Sequence, residues 1–323
     1  VHRLALRFIT AIQLTRLTMA FGAVSDVWFV ILYTRARMPD ANIPVNELPL
    51  GLAMFVGAVV AVGLFAYGAS LNDVLDARHD TAFSPARPIP AGRIRLGQAV
   101  VVTVGSLMIA LLMGWVLGGA AFLMTLLTAT AILFYNAAGK FIPAVGIVTI
   151  GLIHAAHMLI PNVQISFTLP AWMIMTHAMC VAMAVHVLED KRPRLNGSAF
   201  AAIAAGWLFW SVVIVGAGLL GGYGELWPAD VPFVGLIWPA LAVIGFVVVA
   251  RWKSKALPRD SAAEKMKRYG AMWEALYGAA WLMTVQLYED AAWISVFAVA
   301  GFVAMTIIRE IVGLTGRPIA YRG

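Results

Sequence analysis

Residues Gly97 to Gly139 read GQAVVVTVGSLMIALLMGWVLGGAAFLMTLLTATAILFYNAAG, and none of them is charged. As one helix this run would be about 65 Å long at 1.5 Å per residue, too long for a single bilayer crossing. The pair Gly118-Gly119 supplies a turn, so two crossings are expected. The same reading applies from Phe141 to Leu188, where Pro161-Asn162 and Pro170 interrupt another uncharged run.

The pattern extends over the chain. Of 323 residues, 62% are hydrophobic and 12% charged. Soluble domains average about 25% charged residues. Too few charges remain for a water-facing surface of this size, which excludes a soluble globular protein, a disordered chain and a nucleic-acid-binding domain. Apolar segments fall at residues 17–33, 50–71, 97–116, 119–135, 141–160, 171–188, 199–220, 231–250, 271–287 and 292–308. The fold class is therefore all-α integral membrane, with nine or ten transmembrane helices. Residues 271–287 are the weakest crossing, because Glu274 sits near their start. Residues 1–323 read as one transmembrane domain.

Lys and Arg set orientation. With the N-terminus inside and every span crossing, 21 of the 23 basic residues fall on the cytoplasmic side. Only Arg35 and Arg37 fall outside. The first 16 residues carry Arg3, Arg7 and Arg16 and lack the long apolar region and cleavage site of a secretory signal. They are expected to lie on the membrane surface. The basic stretch Arg251 to Arg268 is expected to be a solvated loop touching anionic lipids. Cys180 is alone in an apolar run and is expected to be buried core.

Span two ends in Asn72-Asp73-Val74-Leu75-Asp76-Ala77-Arg78-His79-Asp80. Spacings of three and four put Asp73, Asp76 and Asp80 on one helix face, with Asn72 beside them. Three like charges on one stripe call for a cation. Oxygen ligands alone suit Mg²⁺, which completes its shell with phosphate oxygens and water. The next segment, Ser84 to Ile94, holds three prolines and a glycine and is expected to be a rigid loop. It presents Arg87 and Arg93, natural partners of phosphate oxygens.

The pairing of NDxxDxxxD with RPIPAGRI resembles the UbiA family of intramembrane prenyltransferases. The resemblance implies a helical bundle around a central cavity open to the bilayer. It implies Mg²⁺ and a prenyl diphosphate held by two Asp-rich motifs at the cytoplasmic ends, and a lipid-soluble acceptor that captures an allylic carbocation. On it, Asp73, Asp76, Tyr135 and Lys140 are the catalytic candidates. Asn72, Arg16, Arg78, Arg87, Arg93, Lys191 and Arg192 are the substrate-binding candidates. Membrane lipids are the other expected partners, with no nucleic acid and no obligate protein partner.

The second motif departs from the family pattern. In His186-Val187-Leu188-Glu189-Asp190-Lys191-Arg192-Pro193-Arg194 only Glu189 and Asp190 are acidic. Three readings stay open. Glu189 and Asp190 hold a second metal, sharing a helix face with His186. Or one metal suffices and a basic residue replaces the other. Or metal-assisted chemistry has been lost. A terpene cyclase, a transferase with an unusual donor, a transporter or lipid-binding protein, and a silent scaffold are the competing functions. His154, His157 and His177 read as packed or cavity-lining histidines before haem or metal ligands, and Asn162 as a turn cap. Asp26, the one acid in the body of span one, must face protein or water.

Overall fold

A computed structural model describes residues 2–221 and 224–314. It is helical, with no strand among the described residues. The first half contains α1 (His2–Thr15), α2 (Phe21–Arg37), α3 (Pro44–Glu47), α4 (Leu50–Leu75), α5 (Ala77–Phe83), α6 (Leu96–Val116) and α7 (Gly119–Ala137). The second half contains α8 (Pro143–Met158), α9 (Leu169–Leu188), α10 (Gly197–Leu220), α11 (Ile237–Ser254), α12 (Arg259–Thr284) and α13 (Tyr288–Leu314). The side chains of Arg3, Arg7 and Arg309, and all of Arg317 and Arg322, lie outside the described residues.

Each expected crossing coincides with one helix. Seven of them, α4, α6, α7, α9, α10, α11 with its preceding turn, and α13, are long and apolar enough to cross a bilayer. This is a multi-pass membrane bundle. The other three are α2 and α8, which are 17 and 16 residues long, and α12, whose 26 residues begin with a charged stretch. Helix α2 packs on α4, α8, α12 and α13, and α12 packs on α2, α9, α11 and α13. These helices meet protein on most sides, so they tolerate polar residues such as Asp26 and Glu274. Helix α10 is the opposite case: only Ile203 and Gly218 are buried along its 24 residues. A helix apolar all round suits lipid contact.

The turns follow the sequence. Gly118 adopts φ 110°, which an L side chain rarely does, and links α6 to α7. Asn162 caps its turn, accepting from the Gln164 amide at 2.9 Å and donating to Thr34 Oγ1 at 3.0 Å. Close approach matters at Gly22, where an added Cβ would stand 2.2 Å from the Ala271 carbonyl oxygen of α12. The two exceptions to the charge bias are satisfied locally. Arg35 donates to the carbonyls of Val45 and Leu48 at 2.8 and 2.6 Å, and Arg37 pairs with Asp230 at 2.5 Å.

Two expectations fail. Cys180 is exposed on α9 instead of buried. In a bilayer the outer face is also apolar, so an apolar run does not separate core from lipid contact. The stretch Arg251 to Arg268 is mostly helix, because α11 runs to Ser254 and α12 begins at Arg259. Ala262, Ala263 and Arg268 on it are buried. The Arg268 guanidinium lies over the rings of Tyr269 and Phe302, 5.6 and 5.8 Å from their centroids.

Candidate active site

The first motif straddles a break. Helix α4 ends at Leu75, Asp76 takes φ −87° and ψ 2°, and α5 resumes at Ala77. Backbone bonds from Asp76 to Asn72 (2.9 Å) and from Asp80 to Asp76 (2.8 Å) carry helical spacing through it. The three carboxylates keep to one side, although on two helical segments and not one.

Each carboxylate meets a cation. The loop after α5 is non-helical, and Gly92 at φ 66° helps it turn. It brings Arg87 Nη1 to 2.5 Å from Asp80 Oδ2 and 3.5 Å from Asp73 Oδ1. All three side chains are under 10% exposed, so these pairs are screened little. Arg16, between α1 and α2 in a left-handed conformation, places Nη2 3.2 Å from Asp73 Oδ1. Lys140, just past α7, reaches Asp76 Oδ1 at 2.6 Å and Asn72 Oδ1 at 3.4 Å. Tyr135, half-buried on the last turns of α7, has its hydroxyl in the field of Arg16, Asp76 and Glu189. Arg93 donates to Gln13 Oε1 at 3.0 Å, tying the loop to α1. Arg78 is exposed and outside these pairs.

The second motif is built differently. Glu189 follows the last residue of α9, and its Oε1 accepts from Lys267 of α12 at 2.6 Å. Lys191 Nζ lies 3.1 Å from Oε2. Burial alone would raise the Glu189 carboxyl, but Lys267 and Lys191 outweigh it and hold the group below its ordinary value. Burial pushes Lys267 down to about 8; Glu189 offsets this in part, while Lys191 and Arg16 add to it. Arg16, which pairs with Asp73, also adds to the positive field at Lys267, so the two motifs are linked electrostatically.

Asp190 does not join Glu189. Its backbone turns left-handed at φ 48°, so it leaves the helical face that His186 and Glu189 were expected to share with it. It makes a bidentate pair with Arg194 at 2.9 and 3.0 Å, and Arg192 stands 3.9 Å away. The Arg194 hydrogen bonds hold the Asp190 carboxyl below its usual range. His186 Nε2 lies 3.0 Å from the Pro193 carbonyl oxygen.

Sequence reasoning missed Lys267. It sits in the stretch read as a solvated loop, and only the basic run itself marked it. It lies three residues after Glu264 and seven before Glu274, a helical spacing that was available.

Comparison with known proteins agrees with this geometry. The chain is 34% identical over 88 residues to digeranylgeranylglyceryl phosphate synthase of Sulfurisphaera tokodaii, covering 27% of this chain and 30% of that one. It is 26% identical over 164 residues to the protein of the same name from Natronomonas pharaonis, covering 46% and 59%. The matches thus span a third to somewhat over half of these relatives' length. The fold is similar to the apo structure of a UbiA homolog from Aeropyrum pernix K1, with TM-score 0.53 and 16% identity over 83% of this chain and 96% of that one. The profile of the UbiA prenyltransferase family matches residues 44–276, which hold both motifs. With most of its length inside that match, the chain belongs to the UbiA prenyltransferase family.

Proposed function

We propose that this protein transfers a prenyl or polyprenyl group from its diphosphate to a lipid-soluble acceptor, with Mg²⁺ bound at Asp73, Asp76 and Asp80. One observation carries the reading. Three carboxylates at one end of the bundle are matched by Arg16, Arg87 and Lys140. The matched cluster is close to charge-neutral, so adding a diphosphate requires added positive charge. The donor set is all oxygen, which fits Mg²⁺. The bound metal would act as a Lewis acid on the departing diphosphate.

The remaining chemistry belongs to the chain. Arg16, Arg87 and Lys140 exchange carboxylate for phosphate oxygens, a charge-assisted bond of similar strength. Lys267 and Lys191 face them from the second motif and stand in for a second metal, with Glu189 orienting both. Tyr135, in the field of Arg16, Asp76 and Glu189, is assigned to the region where charge develops on the leaving group. Preorganised cations at that place are the main catalytic effect expected.

An apolar cleft of about 340 Å³ begins at Leu17, beside Arg16, and continues past Phe21, Val24 and Trp28 of α2 to Val62 and Phe297. It suits the isoprenoid tail and keeps water from the allylic cation. The acceptor is read as a lipid with a phosphate headgroup, on two grounds. The relatives are named for a glyceryl phosphate product. A second cleft, of about 480 Å³, is lined by His186, Lys191, Arg194 and Arg259 along with Asp190. We place the N-terminus and both motifs on the cytoplasmic side, with ten crossings, because that arrangement puts 21 of 23 basic residues inside.

The test is one assay. Purified protein with Mg²⁺ is given a panel of prenyl diphosphates, with and without membrane extract, and diphosphate release and lipid mass are measured. Extract-dependent release with a product heavier by one prenyl group is expected. Release without any acceptor, yielding a hydrocarbon or alcohol, would replace transfer by cyclisation. No release with any donor would overturn the reading.

A further inference from the structure

Deeper in the bundle, four helices close a ring. Helix α2 packs on α8 and α12, and α9 packs on the same two. The ring interior is polar. His154 Nδ1 of α8 lies 3.0 Å from Glu274 Oε1 of α12. Asp26 of α2, wholly buried, brings a carboxylate oxygen within 4.8 Å of a ligand atom of each. Neither Asp26 oxygen has a hydrogen-bond partner.

The neighbouring histidine shows what a satisfied group looks like here. His177 Nε2 is 3.1 Å from the Gly270 carbonyl oxygen, so it must donate. Its Nδ1 therefore accepts from the Tyr277 hydroxyl, also at 3.1 Å. His177 is a packed, tautomerically fixed residue with nothing left to bind. Asp26 has no such partners, and the His154–Glu274 pair stands beside it.

We propose that Asp26, His154 and Glu274 form a transition-metal site inside the ring, distinct from the diphosphate site. Charge gives the first reason. With both carboxylates ionised, one protonated histidine leaves a net negative charge in a buried setting, where an unpaired ion is costly. A divalent ion with a neutral imidazole balances the same groups. Ligand chemistry gives the second. One imidazole nitrogen with two carboxylate oxygens suits Zn²⁺, Mn²⁺, Fe²⁺ or Co²⁺ better than Mg²⁺, which prefers oxygen alone. Position separates the sites: Glu274 is seven residues, about 10 Å, beyond Lys267 along α12. His154 is only half-buried, which leaves the ion a way in. A bound ion would join α2, α8 and α12, so it should also stabilise the bundle.

The test uses the full chain in detergent, carrying Asp73→Asn, Asp76→Asn and Asp80→Asn so that the first motif cannot contribute. After chelation, Co²⁺ or Zn²⁺ is added, excess is removed, and retained metal is measured by elemental analysis. About one ion per chain is expected, with visible Co²⁺ absorption and a higher unfolding midpoint. Asp26→Asn and Glu274→Gln, both close in shape to the native residues, should each weaken retention at least about tenfold and abolish the thermal shift. His154→Gln, at a less buried position, gives a second variant if either of these fails to fold, and should show the same loss. No retention by the parent, or retention unchanged in the variants that fold, would overturn the proposal.

Discussion

The two acidic motifs follow the ends of α4 and α9, and they are neutralised in different ways. In the first, three carboxylates come from eight residues of chain, and their partners Arg16, Arg87 and Lys140 arrive from three separate segments. In the second, Glu189 is held between Lys191 and Lys267, and Asp190 turns away to an exposed pair with Arg194. On the proposed reading, one motif offers a stripe of oxygens to a metal and the other offers ammonium groups directly. The difference teaches that neighbouring lysines can neutralise a carboxylate where a second acidic stripe is missing.

This contrast can be broken at several points. The largest effect is expected from Asp73→Asn with Asp76→Asn, which should lower Mg²⁺-dependent diphosphate release by roughly a thousandfold or more. Folding, followed by size-exclusion chromatography, should hold, since Asn keeps the shape of Asp and Arg87 keeps Asp80 as its partner. Arg87→Ala tests burial: it strands Asp80 and leaves Asp73 to Arg16, and should destabilise the protein by roughly 3 kcal/mol, read from thermal unfolding. Lys267→Met should slow release by roughly a hundredfold if the cation serves the leaving group.

Lys267 also sets a pH limit. Its ammonium is present below about 8 and is lost as pH rises through that value. Release should therefore fall on the alkaline side with a midpoint near there, and Lys267→Arg should move that fall to higher pH. The smallest effect belongs to Asp190→Asn. Its pair with Arg194 is exposed to solvent, so the Mg²⁺ requirement should change by less than about twofold.

The first motif was legible because its signal is local. Spacings of three and four survive even the break at Asp76, since the backbone bonds keep helical register there. The second was not, for two physical reasons. Asp190 leaves the helix through a left-handed residue that no periodicity foretells. The decisive partner of Glu189 lies 78 residues away on α12. Hydropathy read the outer helices well, because lipid demands apolar faces all round. It read α12 poorly, because a helix in the middle of a bundle is packed by protein and need not be apolar. For the same reason Asp26 and Glu274 could be located on spans but not seen to meet.

The most direct test of the central claim is the Mg²⁺ concentration that gives half-maximal diphosphate release, compared among the unmodified protein, Asp76→Asn and Glu189→Gln. If the first motif alone supplies the carboxylate ligands, Asp76→Asn raises that concentration at least about tenfold, and Glu189→Gln leaves it within about twofold. If Glu189→Gln raises it as much as Asp76→Asn does, Glu189 is a metal ligand and the division of labour between the motifs is wrong.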